Sequence, residues 1–437
     1  MRIIIAVLVL LFSAVSFASA QGLPVEFGSS LNPVGSGARA MGMGGAFISV
    51  ADDATAASWN PAGLIQLEKP EVSAVYSLFK REQQYHSQSH PEMNTGNEMY
   101  ANGLNYASAV YPFVAFNRNV TVSLNFQRLY EMNKTYKFRY IIDDPLTTLD
   151  HNFSFDQSGY LYALSPAMAV QIKPGLYIGG TLNLWGNYLG RNGWSNSIRS
   201  NALGHIKPSN TDYRLKIDFN DDYSFKGVNG HLGLLWNISG PFTIGAVYKS
   251  SFKGDIRHKG RYYEAIHGPG LNFESSWTSD EELDMRIPPS YGIGLSYRHS
   301  DAWTVALDLY RTEWSRFWMT DSNGKKVNPL TGKSLSDGRP VDTTQIRLGT
   351  EYLFIREQSV IPVRFGLFYD PEPATGKTDE YYGFSMGTGY ATERIAFDIA
   401  YQFRMGNFLD SDVGVIKNTT ADVRQHSVLM SLIYYFK

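Results

Sequence analysis

Spacing leaves few side chains in this chain able to do chemistry. Leu330–Ser334 reads LTGKS, but a phosphate-cradling loop needs a glycine five residues before Gly332, and Val327 stands there. Gly42–Phe47, GMGGAF, ends on phenylalanine where a dinucleotide-binding turn needs its last glycine. Asp321–Gly324, DSNG, matches only a fragment of a calcium loop and is expected to be an ordinary turn. Cysteine is absent, so no thiolate metal site or disulfide can form. Among the nine histidines no His-x-x-x-His pair, and so no metal pair, is expected. The expectation is therefore no catalytic residue, no metal, no cofactor and no enzyme. Three arginines, Arg347, Arg364 and Arg404, and one amide, Asn60, remain as candidates for binding or mechanism. Their meaning depends on the elements that carry them.

Those elements are strands. In Leu176–Leu189, LYIGGTLNLWGNYL, one face reads Leu176, Ile178, Leu182 and Leu184, and the other Thr181, Asn183, Trp185 and Asn187. In Arg394–Phe403, Ile395, Phe397, Ile399, Tyr401 and Phe403 alternate with Ala396, Asp398, Ala400 and Gln402. A period of two means a strand with one greasy face. These runs suit the ~9–11 residues of a bilayer crossing. Short turns are expected near 117–119, 173–175, 239–241, 300–301 and 392–393. Long polar connections are expected at 83–99, 143–155, 190–220, 258–280, 319–341, 370–380 and 409–423. Short turns on one rim and long connections on the other are the layout of an outer-membrane barrel. The rhythm predicts an all-β transmembrane antiparallel barrel of about 14 strands over residues 71–437, an even number as single-chain bacterial barrels have.

Composition agrees. Tyr (28) outnumbers Phe (25) and Gly stands at 40, a Tyr-rich balance suited to surfaces apolar on one side and wet at the tip. Mean hydropathy is −0.24, low enough for polar lumen residues to alternate with apolar outer ones. The net charge of −2 gives no electrostatic case for nucleic acid. Residues 1–20 read as a signal peptide: Arg2, the apolar run Ile3–Phe12, and Ala18-Ser19-Ala20 before the cleavage point. Export through the Sec pathway follows from that reading, and the barrel layout makes a Gram-negative outer membrane the expected destination.

Residues 21–70 do not alternate. Within GARAMGMGGAFISVADDATAASWNPAGL, Gly37–Leu64, Asp52 or Asp53 can cap a short helix over 54–57. Pro61 biases Asn60 out of the helical region, which ends the helix near Ser58. Asn60-Pro61 then turns, with Ala62 and Gly63 behind it. The segment is expected to plug a lumen that a barrel of this size would leave wide.

ADDATAASWNPAGL resembles the hatch of the FadL/TodX family of outer-membrane hydrophobic-compound transporters, which carries an Asn-Pro-Ala motif. MRIPPSYGIGLSYR (Met285–Arg298), WTVALDLYRTEWSRF (Trp303–Phe317) and VRFGLFYDPEPATG (Val363–Gly376) resemble later elements of the same family, in the same order. After Pro373 the chain departs: Thr378-Asp379-Glu380-Tyr381 stands where the family carries an Asp-Arg pair. GARAMGMGGAF also resembles a sister group with the same barrel that serves protein secretion and surface attachment.

The resemblance implies passive uptake of fatty acids or aromatic hydrocarbons, bound in the lumen and released sideways through the wall. It also implies a monomer in contact with outer-membrane lipid and lipopolysaccharide, inserted by the barrel assembly machinery. On the predicted strands Arg347 and Arg364 face inward, opposite Ile346, Leu348, Val363 and Phe365, and Arg404 follows the strand at 394–403. They can meet a ligand carboxylate, or pair with Glu351, Asp398 and other lumen acids. Asn60 can tie the plug to the wall through its amide.

Overall fold

The computed structural model describes residues 25–32, 34–411 and 418–436; the expected signal peptide lies outside them. Fourteen strands form the barrel. They are β1 Glu71–Ser87, β2 Gly96–Ala115, β3 Arg118–Glu131, β4 Thr147–Lys173, β5 Leu176–Trp185, β6 Thr211–Ser239 and β7 Phe242–Lys249, then β8 Ser290–Arg298, β9 Trp303–Thr312, β10 Thr343–Ile355, β11 Val360–Tyr369, β12 Tyr381–Ala391, β13 Ile395–Asp410 and β14 Thr419–Tyr435. Each pairs antiparallel with its chain neighbour. β14 returns to β1, from Glu71↔Tyr435 to Ser87↔Thr419, and closes the cylinder. Closure removes the unpaired edges a bilayer would not tolerate. No described helix is long and apolar enough to cross a membrane.

The alternation does its work at the wall. Ile346, Leu348, Val363, Phe365 and Leu367 are exposed on the outside, while Arg347, Glu351 and Arg364 are buried inside. One rim carries tight turns. At Phe116-Asn117 both residues take positive φ (49° and 59°), as a two-residue hairpin turn with matching twist requires. Aromatics such as Phe113, Phe116, Trp236, Phe242, Trp303 and Tyr434 stand exposed beside that rim, where an amphipathic ring suits an interface.

The other rim differs from expectation. The stretches 143–155, 190–220 and 258–280 are not irregular loops. Strands Lys134–Asp143, Gly193–Ile206, Phe252–Gly268 and Leu271–Ile287 join the upper halves of β4 and β6 in an antiparallel sheet that rises beyond the barrel, with the short strands Trp318–Thr320 and Lys326–Val327 added at its edge. Its outer face is polar, with cross-strand pairs such as Arg257–Asp280 (2.9 Å) and Arg139–Asp150 (2.7 Å). Its inner face stacks aromatics, Tyr136 on Phe155 at 4.7 Å and Phe138 on Phe153 at 5.1 Å. Charge on one face masks the period of two when only overall polarity is read. The strand expected through Leu189 also stops early, at Trp185. Gly186-Asn187 turn the chain away there, as such residues favour.

Inside the cylinder lie residues 25–32 and 34–67. They form helix α1 (Ala38–Gly42), helix α2 (Ala56–Trp59) and a 3-10 turn over Pro61–Gln66. Ala38, Ala40, Ala46, Ala54, Ala56 and Ala62 are completely buried. A segment of small residues is what fits where a wall already occupies most of the space.

Candidate functional site

The contact between the N-terminal segment and the wall is built from glycine on both partners. Gly179 on β5 pairs with Gly233 on β6, Gly245 on β7 with Gly294 on β8, and Gly349 on β10 with Gly366 on β11. A Cβ at any of these six would overlap the segment: Pro61 at Gly179, Asn60 at Gly233, Ile48 at Gly245 and Gly294, Met43 at Gly349, and Gly44 at Gly366. Gly44 itself needs glycine, with φ at 68°. The wall thus has a belt without side chains, and the segment lies in it backbone to backbone.

Polar wall groups then satisfy the segment's backbone. The Asp308 carboxylate on β9 is completely buried and accepts from the Phe47 and Ile48 N–H groups at 2.6 and 2.8 Å. Ser385 Oγ accepts from Gly44 N (2.8 Å) and donates to Gly42 O (3.1 Å). Ser431 Oγ accepts from Ala38 N at 2.7 Å. Asn60 is wholly buried. Its amide Nδ2 donates to Ile48 O (2.8 Å) within the segment and to Leu234 O (2.9 Å) on β6, and its Oδ1 accepts from Ala62 N (3.1 Å). One side chain therefore caps the turn at Pro61 and joins segment to wall. Gly63 needs no positive φ; it is glycine because a Cβ would overlap Ala51 O. The helix starts two residues later than expected, because Asp53 accepts from Thr55 N and Oγ1 in a local turn and does not cap the helix directly.

All three candidate arginines are buried and paired. Arg364 meets Glu351 (2.6 Å) and Asp398 (2.5 Å). Glu351 also meets Arg39 of the segment (2.9 Å), and Arg39 pairs with Asp52. Arg404 meets Asp370 (3.0 Å) and Glu372 (2.8 Å). Arg347 donates to Gly44 O (2.9 Å) and to Gln345, with Asp370 at 3.6 Å. Arg347 and Arg404, but not Arg364, line a cavity of about 180 Å³. Its other walls are Asn32 and Ser36 of the segment, Ser77 and Phe79 of β1, Asn105 of β2, and Gln127 to Leu129 of β3.

That cavity backs onto a break in the wall. The β2–β3 ladder runs from Ala115↔Arg118 to Tyr106↔Gln127 and stops there. Asn105 is skipped in the β1–β2 register and Leu129 in the β3–β4 register, so both flanking strands bulge at the same height. Above it β2 and β3 part, and side chains replace the ladder: Asn105 Nδ2 reaches Arg128 O at 3.5 Å, and Asn97 Oδ1 accepts from Lys137 N at 2.8 Å. On the lumen side the segment fills the gap. Gly28 N–H donates to Glu131 O (2.9 Å), Arg81 donates to Gly28 O (3.3 Å), and Glu26 pairs with Lys134. Next to it, Val25, Phe27 and Leu31 join a buried aromatic cluster with Tyr130, Trp185 and Trp314.

Other spacings come to nothing chemical. His86 and His90 do stand four apart, against expectation, but diverge to Asp422 (3.3 Å) and Glu92 (3.1 Å). Among the described residues no His, Asp and Glu group is arranged to hold a metal ion. Gly383–Gly387, GFSMG, does have Gly-x-Ser-x-Gly spacing where no such element was expected, yet it lies in mid-strand on β12 and Ser385 is held by the segment's backbone. A nucleophile elbow needs a strand-to-helix turn and a base beside it. Asp321 Oδ1 accepts from Asn323 N and Lys325 N, an ordinary self-satisfied turn.

The wall glycines and Asp308 were not singled out from sequence. Their signal was present: Gly and Asp recur on the lumen parity of strands whose other parity is apolar.

Comparison places this geometry among known proteins. A family model for outer membrane protein transport protein (OMPP1/FadL/TodX) matches residues 11–425. A Pseudomonas aeruginosa FadL homologue has the same fold at 14% identity, TM-score 0.59, covering 94% of this chain and 100% of that one. The Ralstonia pickettii toluene transporter TbuX follows at 15% identity and TM-score 0.55 (93% and 100%), and the Pseudomonas putida toluene transporter TodX at 14% and 0.56 (92% and 98%). No curated protein matches the chain. The relatives are transporters and channels, not enzymes. With the model spanning nearly the whole chain and the barrel closed on 14 strands, the chain belongs to the OMPP1/FadL/TodX family of outer-membrane transport proteins.

Proposed function

We propose that this barrel carries hydrophobic compounds, long-chain fatty acids or aromatic hydrocarbons, passively into the outer membrane of a Gram-negative cell. The observation that carries the reading is the cavity of about 180 Å³ between the N-terminal segment and the β2–β3 break. A ligand held there has the bilayer on one side and a plugged lumen below. An apolar molecule gains nothing by entering periplasmic water, so lateral exit follows from hydration alone. Residues 21–70 act as the hatch, with Asn60, Pro61, Ala62 and Gly63 setting its resting position. Arg347 and Arg404, at the cavity wall, are the arginines placed to meet a ligand carboxylate; Arg364 holds the barrel through Glu351 and Asp398. The chain is exported by Sec, inserted by the barrel assembly machinery, and works as a monomer among lipid and lipopolysaccharide, without cofactor or catalysis.

Mass spectrometry of small molecules that co-purify with the detergent-solubilised barrel tests this, together with tracer transfer into protein-containing vesicles. Apolar ligand in the preparation and transfer above protein-free vesicles are expected. Stable recovery of a protein partner with no apolar ligand would favour a secretion-apparatus subunit instead.

A further inference from the structure

Where the outer sheet meets the wall above β7 and β8, its outer face carries cations in a row. Lys253 stands opposite Arg286, and Arg286 opposite Trp318 on the next strand. Lys326 follows on the fourth strand, its Nζ 4.5 Å from the centroid of the Trp318 ring. All four point away from the interior, because their chain neighbours Phe252, Met285, Ile287, Met319 and Val327 are buried in the inner cluster. Elsewhere on this face cations are matched by acids: Arg257 by Asp280 (2.9 Å), Arg139 by Asp150 (2.7 Å) and Lys207 by Asp143 (2.7 Å). Here Lys253 meets Asp284 at 3.0 Å, but Arg286 is held by a hydroxyl, Ser251 Oγ (3.2 Å), and Lys326 by a ring face. One row higher, Lys226 stands opposite Asp255, and Asp255 opposite Asp284. Lys226, Lys253, Arg286 and Lys326 therefore outnumber Asp255 and Asp284, and the patch carries surplus positive charge.

The wall below the row is greasy. Tyr248 on β7 and Tyr291 on β8 pair across their strands, five residues before Lys253 and five after Arg286. Both are exposed, as are Leu232 and Ile293 further down. Eleven residue steps separate Phe242, at the short-turn rim, from Lys253. At ~3.3 Å per residue and a tilt of ~40°, the row stands roughly 28 Å above that rim, just beyond a ~25 Å apolar band. Acyl chains lie against such tyrosines and aliphatics, and the head groups of the same lipids reach the cations. The row also has a width. Lys253 to Lys326 crosses three strand spacings, about 14 Å at ~4.8 Å each. One phosphate is too small to meet both ends. A head with two phosphates on either side of a disaccharide spans it.

We propose that Lys253, Arg286 and Lys326 form a docking site for a bis-phosphorylated glycolipid of the outer leaflet, the lipid A end of lipopolysaccharide. Arg286, in the middle, offers a planar fork of donors to phosphate oxygens. Lys253 and Lys326 flank it as point charges, and Trp318 holds the Lys326 ammonium in place through its ring face. The acyl chains run down over Tyr248 and Tyr291. The bound lipid pins the root of the outer sheet at the membrane surface. The inference rests on the outer-membrane placement of the barrel and gives its lipopolysaccharide contact a defined site. It does not depend on what the barrel carries.

Native mass spectrometry of the detergent-solubilised full chain, titrated with bis-phosphorylated lipid A, its dephosphorylated form and phosphatidylglycerol, tests the site. The native barrel should retain lipid A in preference to both other lipids. Combined Lys253→Gln, Arg286→Gln and Lys326→Gln should weaken retention on the order of 100-fold, about fivefold for each cation lost. A control with the same loss of charge high on the outer sheet, Arg139→Gln with Lys207→Gln and Arg214→Gln, should retain lipid A as the native chain does. Heat-modifiable migration shows that each variant is folded. Lys326→Gln alone, on the exposed edge hairpin, guards against a triple variant that fails to assemble and should still cost about fivefold. Equal retention of the phosphorylated and dephosphorylated forms would overturn the site, as would unchanged retention in Lys326→Gln or equal weakening in the control. Phosphatidylglycerol held as tightly as lipid A would overturn the two-phosphate assignment. None of these readouts involves transfer of cargo, so the site and the transport reading stand or fall separately.

Discussion

Asn60 and Asp308 each satisfy backbone groups that no regular element pairs. Asn60 serves a carbonyl of the segment, a carbonyl of β6 and the N–H of Ala62 at once. Asn60→Ala would leave those groups in a buried turn, at a cost of about 1–3 kcal/mol. The barrel ladder is untouched, so the variant should still migrate as a folded, heat-modifiable band while tracer transfer and ion leakage change. Unchanged transfer and leakage would make Asn60 a turn residue only. Arg364 makes the opposite case. It sits between Glu351 and Asp398, and Arg364→Ala would strand the Asp398 carboxylate and leave Glu351 to Arg39 alone, a loss of roughly 3–5 kcal/mol for a broken buried pair. Urea unfolding from vesicles should show it as a lowered midpoint; an unchanged midpoint would mean water reaches those acids. The inward direction of Arg347 and Arg364 was legible because a strand's parity settles which side a residue faces. Their partners across the lumen were not legible, since Arg39 and Glu351 lie 312 residues apart and only closure of the cylinder brings them together.

At the scale of elements, two devices place the segment and the outer sheet. The glycine belt is the first. Gly366→Val should strengthen β11 locally, because a β-branched residue suits a strand better than glycine does. Its side chain would nevertheless occupy the space of Gly44 N. The expected result is a well-assembled barrel whose segment is displaced, so that trypsin cuts after Arg39; a segment as resistant as the native one would show that the belt is not needed for docking. The second device is His258 on Phe252–Gly268, in the outer sheet. Burial pushes its imidazole down, but hydrogen bonding and attraction to Asp221 (2.8 Å) and Glu281 (3.3 Å) outweigh that and hold it above its ordinary value. The protonated ring also stacks on Tyr223, and Tyr262 donates to Asp221. A raised folded value means its stabilisation is fully present below the unfolded value of ~6.5 and fades as pH rises through the folded value. Fluorescence of Trp277, stacked on Tyr262, should therefore report a looser outer sheet on the alkaline side, and His258→Gln should remove the transition. Strand existence and the short turns were readable here because apolar parity and turn residues are local signals. The outer sheet was not, because its exposed face carries so many charges that average polarity resembles a loop.

For the molecule as a whole, wall and plug are held by separate forces. The cylinder closes through β1–β14 with no help from residues 25–67. The segment is held by side-chain and backbone groups that face a lumen, many of them polar: Asp308, Ser385, Ser431, Arg347 and Asn60's partner Leu234 O. Removing residues 25–67 should therefore leave an assembled barrel with a hydrophilic interior of 14-strand width, too wide for side chains alone to fill. In planar bilayers that variant should conduct ions steadily, while the native chain should stay closed between brief events. Heat-modifiable migration of the variant is the control that the cylinder formed. An assembled deletion variant that remained non-conducting would show that the wall's own side chains, collapsing across the belt of glycines, seal the lumen. The segment would then position ligand without acting as a hatch. The glycine belt argues against that outcome, since on β5 to β8 and on β10 and β11 the wall presents bare backbone where the segment sits, and the polar side chains beside it are short of apolar partners with which to collapse.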